Sequence, residues 1–315
     1  MQPGIESSLK IREMTDRDRS EVSELIYISI NHWYQMHGRP PIFHGDPQVT
    51  EVFYDVYAML DPGCAVVAEN TRTGRLMASC FYHPRERHVS LGIMNVHPNY
   101  FGQGAGKALL RFIIDYTEQH GFPALRLTQS ALNLDSFSLY NTAGFVPRCT
   151  FQDMFLTVPK TGMKFRVAEL DRVREATLAD VPAMISLELE VSGIMRERDY
   201  CYCIENHQGI WHVSVYESND GGIGGFMISC GHPAMNMLGP CVARGEQEAA
   251  ALIVRELDHY KGRTPLFLLP VEKAALVRHA YDWGARNCEL HLCQVRGEFQ
   301  PFRGISMPSF LPESG

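Results

Sequence analysis

The sequence predicts an α+β fold built from two tandem domains, each a mixed, mainly antiparallel sheet flanked by helices. Its 315 residues suit two domains of about 150 residues each. Short segments of alternating apolar and polar residues, typical of strands, are interspersed with segments of helical periodicity. The second half repeats the order of these segments, which indicates two copies of one unit and not a solenoid.

The first copy begins with a short strand, and Thr15 or Asp16 can cap the helix that follows. A break at 37–41 (His-Gly-Arg-Pro-Pro) ends that helix. The further elements that we predict are a helix at 48–60, strands at 64–69, 76–82 and 89–96, a helix ending near 120, a strand at 124–128, a helix at 134–142 and an extended segment at 146–158.

The second copy starts where 173–177 (Val-Arg-Glu-Ala-Thr) echoes 11–15 (Ile-Arg-Glu-Met-Thr), with a capped helix expected after both. We therefore expect domains at 1–158 and 171–315, joined by a linker at 159–170. The elements predicted in the second copy are strands at 210–217, 223–230 and 235–242, a helix at 247–260, a strand at 266–270, a helix at 272–283 and an extended segment at 286–296.

Composition narrows the classes of partner. The net charge is −7 and no run of Lys or Arg occurs, which argues against nucleic acid. No stretch reaches the roughly 18 apolar residues that a membrane span needs. The N-terminal residues have neither the basic start nor the apolar run of a signal peptide, so we expect a cytoplasmic protein with free thiols. The nine cysteines and thirteen histidines show no metal-binding spacing, and no metal is expected.

A glycine-rich turn connects the strand at 89–96 to the following helix. Residues 102–108 read Gly-Gln-Gly-Ala-Gly-Lys-Ala. The free N–H groups of a helix's first turn, together with its dipole, form an anion site that suits a pyrophosphate. Alone, such a turn is also compatible with an ordinary strand–helix corner. A Rossmann dinucleotide site is disfavoured, because the turn does not open the chain and no acidic residue ends the next strand.

A second segment follows one strand later. Asn133 occupies a helix N-cap position, and Tyr140 lies two turns further on the same helix face. Together the two segments resemble the GNAT superfamily of acetyl-CoA-dependent N-acetyltransferases. Gln103-x-x-Gly106-x-Ala108 matches its (Q/R)-x-x-G-x-(G/A) loop, and Asn133…Tyr140…Gly144-Phe145 matches its second motif. The resemblance covers 9–158 well and 171–296 in outline, so both domains are expected to be GNAT-like.

The resemblance implies direct transfer of an acetyl group from acetyl-CoA to a primary amine of a small molecule or peptide. The main chain of 94–96 would pair with the pantetheine arm, Asn133 would contact coenzyme A, and Tyr140 would protonate the leaving thiolate. A core aromatic is the alternative for Tyr140. A non-catalytic acyl-CoA-binding protein and a longer-chain acyltransferase are alternatives for the chain. The residues implied in cofactor binding are Met94, Asn95, Val96, Gln103, Gly104, Ala105, Gly106, Lys107, Ala108, Asn133 and Tyr140.

The acceptor side is less defined. No acidic residue lies in 88–96, so the general base stays open. In 31–44, an aromatic-rich segment, Trp33 and Tyr34 either shape an acceptor pocket or pack structurally. The candidate bases are His83, His88, His97 and Glu51.

The second copy has lost the glycine turn. Glu246 and Glu248 follow Gly245, where phosphates would bind. A like-charge pair at about 4 Å and an effective dielectric near 20 costs on the order of 4 kcal/mol. Tyr281 is offset by one residue from the position equivalent to Tyr140. We therefore expect a degenerate second domain, whereas the oligomeric state is left open.

Overall fold

The structure is a computed structural model that describes residues 8–165 and 167–314. The N-terminal residues examined for a signal peptide, and Arg166 of the predicted linker, lie outside the described residues. The chain divides into two compact units. The first comprises Met1–Pro84 and Val89–Leu125, and the second comprises Arg85–His88 and Arg126–Gly315.

The first unit is a four-stranded antiparallel sheet with helices on both faces. Tyr82 meets Tyr116 of the third helix at 4.8 Å between ring centroids, whereas the next residue, His83, meets Tyr57 of the second helix at 4.4 Å. Successive strand residues point to opposite faces, so these two helices cover opposite faces. The elements are β1 (Leu9–Glu13), α1 (Arg19–Met36), α2 (Glu51–Leu60), β2 (Ala65–Asn70), β3 (Leu76–Pro84), β4 (Val89–Val96) and α3 (Ala105–Gln119), with the strands paired in chain order.

The second unit contains a longer sheet. Strand β5 crosses from the first unit into the second, and β10 and β11 form a parallel pair. The strand order is β5-β12-β6-β11-β10-β9-β8-β7, with β13 beside β10. The elements are β5 (Ala124–Ser130), α4 (Leu134–Thr142), β6 (Val146–Phe155), β7 (Val173–Glu175), α5 (Val181–Ser192), α6 (Glu197–Glu205), β8 (Trp211–Glu217), β9 (Ile223–His232), β10 (Met235–Ala243), α7 (Glu246–Leu257), β11 (Leu266–Pro270), α8 (Ala274–Asp282), β12 (Arg286–Gly297) and β13 (Ile305–Met307).

The internal repeat extends to side-chain contacts. In the first copy, Thr15 and Asp18 form a capping box before α1, and Arg12 makes two 2.8 Å hydrogen bonds to the Asp18 carboxylate. These bonds tie β1 to the start of the helix. The second copy has the same contacts, likewise at 2.8 Å, among Arg174, Thr177 and Asp180.

Strands β6 and β12, which follow α4 and α8 in the two repeats, are exchanged within the second unit. Strand β6 ends the first repeat, yet it pairs antiparallel with β11 and β12 of the second repeat. In turn, β12 lies next to β5. The domain boundary at 158 stays a prediction, whereas the compact units divide near residue 125.

Two elements were not predicted from the sequence. Helix α6 has nine residues, Glu-Arg-Asp-Tyr-Cys-Tyr-Cys-Ile-Glu, and the spacing of Tyr200, Cys203 and Ile204 along one helix face is a signal that the sequence prediction missed. Strand β13 has three residues and forms because it pairs with β10. Within 8–165 and 167–314, no helix has the length and apolar character needed to cross a membrane.

Candidate functional site

The glycine turn lies directly before α3 and contains two left-handed residues. Gly102 and Gly104 adopt φ values of 72° and 86°, a left-handed region that favours glycine. The Gln103 side chain donates to the Asn99 carbonyl at 2.9 Å and closes the turn. The first helical hydrogen bond runs from Ala108 N–H to the Gly104 carbonyl at 3.0 Å, so the preceding N–H groups have no acceptor within the helix.

The surroundings of this turn suit an anion. The first turn of α3 contains no acidic residue, and Lys107 is exposed. A Cβ added at Gly102 or Gly104 would meet no atom within 4 Å, so the turn opens into free space. The helix dipole and the free N–H groups are thus available to a phosphate-bearing ligand.

Strand β4, which leads into this turn, contains a β-bulge. Leu91 pairs with Tyr82 of β3, and Met94 pairs with Cys80. Two residues of β4, Gly92 and Ile93, therefore lie opposite a single residue of β3. A bulge interrupts the ladder and redirects backbone groups, and bulges are frequent beside active sites. The first unit therefore places an irregular strand and an open helix N-terminus in succession along the chain.

The backbone of β4 beyond the bulge alternates in direction. His97 N–H donates to the Met77 carbonyl of β3 at 2.8 Å. Because backbone groups alternate along a strand, those of Asn95 also face β3, while those of Met94 and Val96 face the other edge. Of the three residues predicted to pair with pantetheine, Met94 and Val96 have the suitable backbone direction. The Asn95 side chain accepts a hydrogen bond from Ser29 of α1 at 2.9 Å.

The aromatic segment at the end of α1 is partly exposed. Trp33 stacks on His37 at 4.1 Å and meets Tyr34 edge-on at 5.1 Å. Asn31 fixes the following loop through hydrogen bonds to the backbone of Ile42 and Phe43. The segment also approaches the glycine turn, where His32 and Phe101 lie 6.1 Å apart.

The four candidate bases have different surroundings. Glu51 is ion-paired with Arg19 at 2.7 Å, and the His97 ring accepts from Asn99 N–H at 3.2 Å. His88 is buried and belongs to the second unit. The remaining candidate, His83, is buried on β3 with its Nδ1 atom 2.7 Å from an Asp61 carboxylate oxygen.

The second motif lies in the second unit. Asn133 is the N-cap of α4 as predicted, and its side-chain oxygen accepts from Ser136 N–H at 3.0 Å. Tyr140 is 6% exposed and packs against Phe145, with ring centroids 5.6 Å apart. Its counterpart region in α8 carries Tyr281, which is 46% exposed.

In the second copy, the chain's own carboxylates lie at the position of the glycine turn. Gly245 has a φ of −144°, not a left-handed value. Glu246 accepts a hydrogen bond from Leu276 N–H at 2.5 Å, in the first turn of α8. The Glu248 carboxylate folds over Gly245, and a Cβ there would lie 2.7 Å from its oxygen. These groups exclude an anion by both charge and volume.

Comparisons with known proteins concern the family and the fold. Residues 29–145 match the model of the Acetyltransferase (GNAT) family. A curated relative, the UPF0157 protein YqkA of Bacillus subtilis (strain 168), is 29% identical over 103 residues, which are 33% of this chain and only 28% of the relative.

Solved structures share the fold over most of the chain. A Pyrococcus horikoshii protein matches with a TM-score of 0.73 at 14% identity, covering 94% of this chain and 91% of that one. A tandem GNAT protein from the clavulanic acid biosynthesis pathway matches with a TM-score of 0.61 at 12% identity, covering 92% and 98%. Residues 29–145 thus belong to the GNAT acetyltransferase family, in a chain that has the fold of tandem GNAT proteins.

Proposed function

We propose that this protein transfers an acetyl group from acetyl-CoA to a primary amine, using the first repeat as the working copy. The observation that carries the proposal is the succession of a β4 bulge, a left-handed glycine turn and a helix N-terminus without acidic residues. The open space over Gly102 and Gly104 fits a pyrophosphate. Acetyl-CoA, when bound, supplies a thioester carbon that an amine can attack.

The chain's residues then have separate tasks. Within the glycine turn, residues 103–108, the N–H groups of 104–107 hold the pyrophosphate, because those of Gln103 and Ala108 donate to backbone carbonyls. The outward backbone groups of Met94 and Val96 hold the pantetheine arm. An N–H group at the bulge stabilises the developing oxyanion. Asn133 contacts coenzyme A, and Tyr140 protonates the leaving thiolate; both roles rest on the second motif. Positioning and the oxyanion site contribute most of the rate.

The test is release of free thiol from acetyl-CoA in the presence of aliphatic amines, aromatic amines, polyamines and a lysine-containing peptide. Mass spectrometry of the product identifies the acceptor. Acetyl-CoA binding without thiol release for any amine would favour a regulatory acyl-CoA-binding protein. Faster reaction with longer acyl-CoAs would favour a different acyl donor.

The free thiols of the described cysteines support a cytoplasmic location.

The aromatic segment is proposed to form part of the acceptor site. Its support is the approach of His32 to Phe101 beside the glycine turn. Trp33→Ala or Tyr34→Ala should raise the acceptor KM several-fold, because an apolar contact is lost, and leave the acetyl-CoA Kd unchanged. Exposed Met36→Ala serves as the control. A lower Tm with an unchanged KM would assign the segment to structural packing.

A further inference from the structure

An aspartate–histidine pair lies in the first unit, beneath α2. His83 on β3 and Asp61 just after α2 have side chains that are 0% and 1% exposed, with Nδ1 and Oδ2 2.7 Å apart. A carboxylate at Nδ1 fixes the orientation and tautomer of the ring, and it stabilises the imidazolium that forms if Nε2 accepts a proton. Tyr57 of α2 also lies beside the ring, at 4.4 Å between centroids.

The Nε2 atom lies over the backbone of Gly92 in the β4 bulge. A Cβ built on Gly92 would be 2.6 Å from His83 Nε2 and 3.1 Å from the Phe81 carbonyl oxygen. Gly92 does not have a positive φ, so its backbone conformation does not require glycine. The position instead requires the absence of a side chain, because the imidazole occupies that space.

This arrangement brings the nitrogen of a buried, carboxylate-oriented histidine to the bulge of β4. The bulge is where the proposed function positions the thioester carbonyl, so the inference rests on that proposal. A proton acceptor at this point would serve the attacking nitrogen through a water, because the His83 side chain is 0% exposed.

We propose that His83 is the general base of the acetyl transfer and that Asp61 is its positioning residue. The acceptor enters as an ammonium ion and gives one proton to Nε2, which makes His83 an imidazolium. The free amine attacks the thioester carbon, so a C–N bond forms and the C–S bond breaks. The second nitrogen proton ends on the departing sulfur, and His83 returns its own proton to solvent.

The described groups beside His83 include one carboxyl group, one phenol and one hydroxyl group. Asp61 follows α2, and Tyr57 comes from α2 itself; Ser90 of β4, paired with His83 in register, is polar and not titratable. The Asp61 carboxylate is thus an acid partner of the ring. Loss of that partner should impair the base without removing the ring.

The key experiment compares thiol release over pH for the wild type and His83→Gln, with acetyl-CoA and the best amine from the panel. At pH 7 the variant should be about 100-fold slower in kcat, with the same acetyl-CoA Kd by calorimetry. The defect should shrink to a few-fold as the pH approaches the pKa of the amine, because a free amine needs no base. A purely structural role predicts a defect that is independent of pH.

Two further variants test the geometry. Asp61→Asn keeps the ring but removes the carboxylate, and about a tenfold loss of kcat is expected. Gly92→Ala keeps both residues of the pair but forces Nε2 away from the bulge, and about the same loss is expected. If His83→Gln does not fold, a fully active Gly92→Ala protein would still overturn the proposal.

The chain also offers a matched control. In the second unit, His291 Nδ1 lies 2.8 Å from an Asp153 oxygen, and both side chains are buried. His291→Gln should lower Tm as much as His83→Gln and leave kcat unchanged. An equal kcat loss in both variants, or normal kcat in folded His83→Gln, would contradict the role. A wild type that releases no thiol with any amine would instead overturn the proposed function and this inference with it.

Discussion

Tyr140 combines a motif position with a buried environment. It lies on α4 two turns after Asn133, yet only 6% of its surface is exposed and its ring contacts Phe145. The motif assigns it proton donation, whereas burial alone is typical of a packing residue. The hydroxyl group separates these roles, because packing depends on the ring and proton donation on the oxygen.

Tyr140→Phe should therefore lower kcat by about 10²–10⁴-fold, with little change in the acetyl-CoA Kd. Steady-state kinetics with the identified amine, together with calorimetry, measures both quantities. Tyr281→Phe, at an exposed position of the second repeat, should have no effect. Near-normal kcat in Tyr140→Phe would leave the residue with a packing role only.

Glu256 of α7 is a buried carboxyl group between two hydroxyls of the sheet. Ser214 and Ser229 both donate hydrogen bonds to it, and it is fully buried. Burial raises its pKa from 4.5 to about 7, although the two hydroxyl donors partly oppose the shift. Between pH 4.5 and about pH 7, the Glu256 carboxyl group is thus protonated in the folded protein and ionised in the unfolded chain.

The sign of the effect follows from linkage. The contribution of Glu256 to the free energy of unfolding should be largest below pH 4.5. It should fall by up to roughly 3 kcal/mol as the pH rises to about 7. Glu256→Gln keeps the hydrogen bonds without a charge, so it should raise Tm at pH 8 and change little at pH 4. Exposed Glu24→Gln is the control. A Tm difference that does not vary with pH would contradict the raised pKa.

At the scale of elements, the start of the first helix of each repeat is held by the same hydrogen bonds among a threonine, an aspartate and an arginine. In the second copy, hydrogen bonding by Arg174 and Thr177 lowers the pKa of Asp180 from 3.8 to about 2, against the effect of burial. A carboxylate with a depressed pKa stabilises the fold above pH 4, and this contribution is lost as the pH falls toward 2.

Asp180→Asn should therefore lower the free energy of unfolding at pH 7 by at most roughly 2 kcal/mol, less where Arg174 is solvent-screened. The difference from the wild type should narrow as the pH falls from 4 toward 2. Thermal unfolding followed by circular dichroism measures it. Asp171→Asn, before β7 and outside the cap, is the control, and a deficit that persists at pH 2 would assign the loss to packing.

The elements themselves were largely predictable, since their periodicity and caps are local. Helix α4 has the predicted bounds, and β4 was placed correctly at 89–96. The bulge at Gly92 and Ile93 was not predicted, because it depends on the register with β3. The exchange of β6 and β12 depends on pairing across many residues and leaves no local pattern. His83 was one of four equal candidates until the fold brought Asp61 to it.

At the scale of the whole molecule, the two repeats share one fold. They differ at the turn before one helix, which is α3 in the first repeat and α7 in the second. The first repeat has an open turn with left-handed glycines. In the second, Glu246 bonds to the backbone of α8 and Glu248 covers Gly245. The two carboxylates thus occupy the place where a ligand phosphate would bind at the start of α7. They stabilise the second copy and remove its ligand site.

The last prediction concerns stoichiometry: each chain should bind one acetyl-CoA, at residues 103–108. Gly106→Glu adds bulk and negative charge where the pyrophosphate is proposed to sit, so it should abolish binding in a folded protein. Glu248→Gln removes a charge from the second copy but leaves Glu246 hydrogen-bonded to Leu276, so binding should change little. Isothermal titration calorimetry gives the number of sites directly, and circular dichroism verifies folding. Two sites per chain, or tight binding that survives Gly106→Glu, would show that the second repeat is a working copy.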